Sequence, residues 1–113
     1  MASANDGARR KVLMVTPDKI LRAKILIVED DRISLRLVTA ILKEAGFRNI
    51  RTMANAKDIV EIYTQYNPDI LILDLNLPEI DGFEAMRRLR VVDPEDYLPI
   101  LVLSGDADEH IHL

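Results

Sequence analysis

The 113-residue chain has no cysteine. That excludes a disulfide framework, a thiolate nucleophile and any Cys-based metal site, and it is compatible with a cytoplasmic protein. The chain also lacks an apolar run near the roughly 18 to 20 residues needed to span a bilayer, so no membrane association is expected. The closest approach to an export signal is Arg9-Arg10-Lys11 followed by Val12-Leu13-Met14-Val15. Its apolar part is only four residues and stops at Thr16-Pro17-Asp18, which excludes a signal peptide. Internal repeats and low-complexity tracts are absent too. What is present is ordinary globular composition, 49% hydrophobic and 30% charged, enough for one domain with a real core.

The net charge of −4 hides an asymmetry. Residues 1–24 carry six basic and two acidic side chains, whereas residues 25–113 carry nine basic and seventeen acidic. An acidic body argues against a nucleic-acid face and suits a domain that gathers carboxylates around a cation.

Two continuous apolar stretches stand out. Lys24-Ile25-Leu26-Ile27-Val28 runs into Glu29-Asp30-Asp31, and Ile70-Leu71-Ile72-Leu73, between Pro68 and Pro78, runs into Asp74. Such runs are expected of strands buried on both faces of a parallel sheet. A weaker strand is expected over 47–53 and a further buried one over 98–103, ending at Ser104-Gly105. Between them the apolar spacing predicts helices over 33–45, 56–66 and 83–92. The first would turn Leu35, Val38, Ile41, Leu42 and Ala45 inward and end at Gly46; the last would be capped by Asp81 with Glu84 three residues on. Strand and helix alternate with short links, which predicts an α/β fold: a doubly wound parallel sheet with helices on both faces. Residues 1–22 form a leader, with residues 1–10 a mobile tail and a possible extra strand at 11–16 ended by Pro17. Residues 23–113 form the domain.

In a parallel sheet all strand ends point one way, so Glu29-Asp30-Asp31, Asp74 and Ser104 converge on the edge where open α/β sheets bind ligands. An acidic triplet after a strand also suits a solvated turn or a helix N-terminus. Several clustered carboxylates repel unless a cation sits among them, and oxygen ligands without His or Cys select a hard ion such as Mg²⁺.

The run Asp74-Leu75-Asn76-Leu77-Pro78-Glu79-Ile80-Asp81-Gly82, with Glu29-Asp30-Asp31 before it and Ser104-Gly105 after it, resembles the receiver domain of bacterial two-component response regulators. The resemblance covers about residues 23–113 and implies a flavodoxin-like fold. It implies that Asp74 takes a phosphoryl group from a histidine kinase or phosphotransfer protein, in a signalling domain and not an enzyme. Asp31 would be the main Mg²⁺ carboxylate, assisted by Asp30, with Asp74 and the backbone carbonyl of Asn76 completing the set. Glu29 would take part or remain a solvated residue at the helix entry. Ser104 would hydrogen-bond a phosphoryl oxygen and act as the switch, while Pro78 and Gly82 shape the turn. The family continues into a fifth strand, ending in a lysine, and a fifth helix, for which no residues are at hand, so a truncated receiver is expected. Its exposed apolar edge at 98–103 would favour a homodimer, by edge pairing or element exchange, or a replacement strand from 11–16 with Lys11 standing in for the lysine. The alternative is a receiver-like scaffold impaired in phosphorylation, or an unstable fragment. A haloacid-dehalogenase-type enzyme would want a second Asp where Asn76 stands, and an FMN binder would be repelled by Glu29-Asp30-Asp31.

Overall fold

A computed structural model describes residues 16–95 and 98–103. Four parallel strands, β1 (Lys24–Val28), β2 (Asn49–Met53), β3 (Ile70–Asp74) and β4 (Ile100–Leu103), form a sheet in the order β2-β1-β3-β4. They alternate with helices α1 (Pro17–Leu21), α2 (Arg32–Glu44), α3 (Ile59–Tyr66) and α4 (Gly82–Val92). The expected doubly wound α/β architecture is thus present, with strand boundaries within two residues of the sequence reading. No helix among the described residues is long and apolar enough to cross a membrane.

The central strands are the two apolar runs. From Ile25 to Val28 and from Leu71 to Leu73 no side chain is more than 4% exposed, because each strand has a neighbour on both sides and helices above and below. Alternation splits them between two cores. Leu26, Val28, Leu71 and Leu73 face α3 and α4, which supply Ile59, Tyr63, Ala85 and Leu89. Ile25, Ile27 and Ile72 face α2, which supplies Leu35, Val38 and Leu42.

That second layer departs from expectation at one point. Ile41 is 58% exposed and Ala45 is also exposed; with Ile33 and Leu37, Ile41 forms a stripe at i, i+4, i+8 that leans away from the sheet. Only the row containing Leu35, Val38 and Leu42 reaches the strands, so the apolar arc of α2 is wider than the surface the sheet offers it.

The ends of the helices follow local chemistry. Asp81 caps α4 as expected, its Oδ1 accepting from Glu84 N at 2.9 Å. Gly46, with φ of 104°, ends α2, and Asn67 adopts the left-handed conformation after α3. Residues 11–15 of the proposed leader strand lie outside the described residues. Thr16, assigned to that strand, is instead the N-cap of α1, and Pro17 opens a helix at the position where its missing N–H costs nothing. α1 is fastened at the start of β2: Leu21 packs against Gly46, Arg48 N donates to Leu21 O at 3.2 Å, and Asn49 Nδ2 donates to Arg22 O at 2.7 Å.

Candidate functional site

The chain passes from β1 outward to β2 and then back across to β3, so β1 and β3 are neighbours at the point where the winding reverses. Their carboxyl ends open the crevice in which sheets of this type bind ligands. Asp74 is the last residue of β3 and is 7% exposed; Glu29 follows β1 directly and is 5% exposed. One carboxylate oxygen from each of Glu29, Asp30 and Asp74 lies within 4.8 Å of the others.

Two of the three, Glu29 and Asp74, are held by backbone. Glu29 N donates to Met53 O at 3.0 Å, extending the β1–β2 ladder by one residue, and Glu29 Oε2 accepts from Asp31 N at 3.0 Å. Asp74 Oδ1 accepts from Asn76 N at 3.0 Å, which fixes the turn after the strand. Beyond that turn the chain doubles back, with Gly82 N donating to Leu75 O at 3.0 Å. A Cβ on Gly82 would stand 2.8 Å from Leu75 Cα and 2.9 Å from Asp74 O. Only glycine permits this approach, so the start of α4 rests directly on the backbone of the site. At the mouth, Lys57 Nζ pairs with Glu79 Oε2 at 3.2 Å and ties the loop before α3 to the loop after β3; Glu79 holds a left-handed φ of 65°.

The electrostatics fit a cation. Burial pushes the Glu29 carboxyl up to about 7, and the neighbouring carboxylates of Asp74 and Asp30 add to the rise, against the lowering effect of the Asp31 amide. Three carboxylates this close hold a proton among them or a positive ion. An all-oxygen set suits a hard divalent ion with water completing its shell.

The expected site residues divide. Asp30 and Asp74 come together as anticipated, and Asn76 occupies the adjoining turn. Ser104 lies outside the described residues. Asp31, expected as the principal metal carboxylate, is placed elsewhere. It is exposed and caps α2, its Oδ2 accepting from Ser34 N at 2.9 Å and Ser34 Oγ at 2.7 Å, bonds that hold its carboxyl below the ordinary range. Glu29, left open between two roles, is the third member of the cluster. The signal that separates them is local: an aspartate three residues before Ser34 at a helix start is an N-cap pattern.

The description "Response regulator receiver domain" fits residues 25–112 of this chain. The Caulobacter vibrioides protein "Cell cycle transcriptional regulator CtrA" is 34% identical over 85 residues, which is 75% of this chain and 36% of that protein. The Brucella anthropi "Polar-differentiation response regulator DivK" is 26% identical over 83 residues, covering 74% of this chain and 67% of that protein. The chain therefore spans about a third of the length of CtrA and two thirds of DivK. Among solved structures, the receiver domain of the histidine kinase CKI1 from Arabidopsis thaliana, complexed with Mg²⁺ and BeF₃⁻, superposes with a TM-score of 0.70. The sequence identity is 28%, with 78% of this chain and 70% of that one covered.

Proposed function

Because this chain belongs to the response regulator receiver domain family, we propose that it accepts a phosphoryl group on Asp74 from the phosphohistidine of a histidine kinase or phosphotransfer protein. One observation carries this: a nearly buried carboxylate at the end of a central strand, within 4.8 Å of two others at the winding reversal. A carboxylate oxygen of Asp74 attacks phosphorus and the P–N bond to the donor imidazole breaks. The product is an aspartyl phosphate, and the nitrogen keeps the bonding pair. Asp30 and Asp74, with the Asn76 carbonyl, would hold Mg²⁺, and Glu29 would line its inner side. The ion supplies charge neutralisation for the transferring phosphoryl oxygens. Asp31 serves by capping α2, which sets the direction in which the chain leaves Asp30. Ser104 is assigned the hydrogen bond to a phosphoryl oxygen and the switching role.

The buried backbone contacts at Asp74 hold the nucleophile in one position, so little ordering is needed when a donor docks. The CKI1 receiver domain is complexed with Mg²⁺ and BeF₃⁻, and the same pair is a suitable probe here. Intact mass spectrometry after incubation with Mg²⁺ and a small phosphodonor should show one phosphoryl adduct on the parent and none on Asp74→Asn. Equal modification of both would remove Asp74 from the role. An unmodified parent that is folded and binds Mg²⁺ would argue against phosphoryl transfer altogether.

A further inference from the structure

We propose that Lys57 is a positioning residue for Asp74: through its ion pair with Glu79 it ties down the tip of the loop 75–82, and so holds the turn that orients the nucleophile. The proposal rests on the reading of Asp74 as the phosphoryl acceptor. Glu79 is an unusual residue for its place. Among the described residues two that are not glycine have positive φ, Asn67 at 52° and Glu79 at 65°. Asparagine visits that region readily because its short side chain bonds locally, whereas glutamate gains no such bond. Ile80 N donates to Pro78 O at 2.7 Å across Glu79, closing a turn whose positive central φ makes it the rare, strained form. Leu77 and Ile80 are both drawn into the core with α3 and α4, so the chain must reverse between them. That accounts for the turn, and glycine would serve it best. It does not account for a carboxylate. Strain of this kind persists where the surroundings hold it, and it gathers at functional sites.

What meets the Glu79 carboxylate is Lys57, at 3.2 Å. Both ends of this pair stand on fixed backbone. Lys57 N donates to Asn55 Oδ1 at 3.0 Å, and Ala56 beside it is fully buried. Glu79 sits in the closed turn. Forming the pair therefore gives up side-chain freedom but no loop freedom. The order β2-β1-β3 puts the loops after β2 and β3, about 10 Å or two strand spacings apart, on either side of the end of β1. The pair joins the two banks of the crevice. The loop 75–82 is closed at its base, where Gly82 N donates to Leu75 O at 3.0 Å, and beside that base Asn76 N donates to Asp74 Oδ1 at 3.0 Å. A loop fastened at base and tip has one orientation. Fastened at the base alone it can pivot, and the Asn76–Asp74 bond lies at the pivot.

Two substitutions of opposite charge test this. Lys57→Met and Glu79→Met each remove the pair, and both side chains are more than half exposed, so neither change disturbs the core. The tie requires both to act in the same direction. Under saturating Mg²⁺ each should slow phosphorylation of Asp74 by a small phosphodonor about twofold to fivefold, the range open to an exposed pair. The double variant should be no slower than the slower single one, since the pair is lost only once. Charge acting through space behaves otherwise, because removing a cation and removing an anion would move the rate in opposite directions. That result, or additive losses in the double variant, would overturn the proposal.

Hydrogen exchange at the Asn76 amide reads the same turn without phosphoryl chemistry. It should quicken about twofold to fivefold in both single variants, beyond any change at the Leu26 and Leu71 amides of the central strands, which report global stability. Asn76 exchange that changes no more than theirs would overturn the tie. The two readings fail separately. A parent that takes no phosphoryl group, with Asn76 exchange quickened in both variants, would sink the phosphoacceptor reading and support the tie. A phosphorylated parent whose rates and exchange are unaltered by either substitution would sink the tie alone.

Discussion

Replacing Glu29 by Gln removes one charge from the cluster and keeps the shape and the oxygen that accepts from Asp31 N. The Glu29 carboxyl rises from 4.5 to about 7 on folding, chiefly through burial. A carboxyl with a raised folded value binds more protons in the native state between those two values. The contribution of this group to stability is therefore fully present below 4.5, falls as pH rises through this window and is gone above about 7. At about 1.4 kcal/mol per pH unit the loss is roughly 3 kcal/mol, with little solvent screening because Glu29 is 5% exposed. The other shifted groups act outside the window. Asp31 and Glu84 are lowered and lose their contribution only in acid, and Tyr66 is raised above 10. Urea unfolding in chelator at pH 5 and pH 8.5 tests this. Parent and Glu29→Gln should be similar at pH 5, and the variant should be more stable by roughly 3 kcal/mol at pH 8.5. Millimolar Mg²⁺ should restore the parent at pH 8.5 more than the variant. A parent–variant difference that does not change with pH would refute the reasoning, since the buried charge would then cost nothing.

Asp31→Ala should lower the urea midpoint through loss of the cap, yet leave Mg²⁺ affinity within a few-fold by calorimetry. Asp30→Asn should do the reverse, weakening Mg²⁺ binding at least tenfold with little change in the urea midpoint. Gly82→Ala would drive a methyl into the backbone at Leu75 and Asp74. It should cost about 3 kcal/mol, at the upper end for overpacking because backbone cannot rotate aside, and slow any phosphorylation of Asp74. Leu73→Ala, at a fully buried central position, should cost about 2 to 5 kcal/mol by chemical denaturation.

Burial made the central strands legible in advance. Ile25–Val28 and Ile70–Leu73 contain no polar residue, and a segment so uniform has few places to go except between two neighbours and two helix layers. Asp74 was legible for the same reason, as the first charge where such a strand ends. The choice among Glu29, Asp30 and Asp31 was harder. Two residues along the chain separate the buried carboxylate of Glu29 from the exposed cap of Asp31, and termini are the least determined part of any element. α1 escaped because the apolar run before Thr16 outweighed the Thr-Pro helix start after it. Ile41 shows another limit: periodicity marks the apolar arc of α2, whereas the sheet decides how much of that arc is covered.

The contact of Gly82 with the backbone of Asp74 and Leu75 also makes α4 a lever whose fulcrum is the site. The helix runs eleven residues from Gly82 to Val92, about 16 Å. With no side chain at the pivot to absorb a shift, a tilt of about 5° there would carry the far end about 1.4 Å over that length. At that end Tyr63 Oη meets Asp93 Oδ2 at 3.1 Å. A displacement of that size breaks such a bond. A change too small to disturb the packing around Asp74 would thus be converted, one helix length away, into the making or breaking of a polar contact with α3.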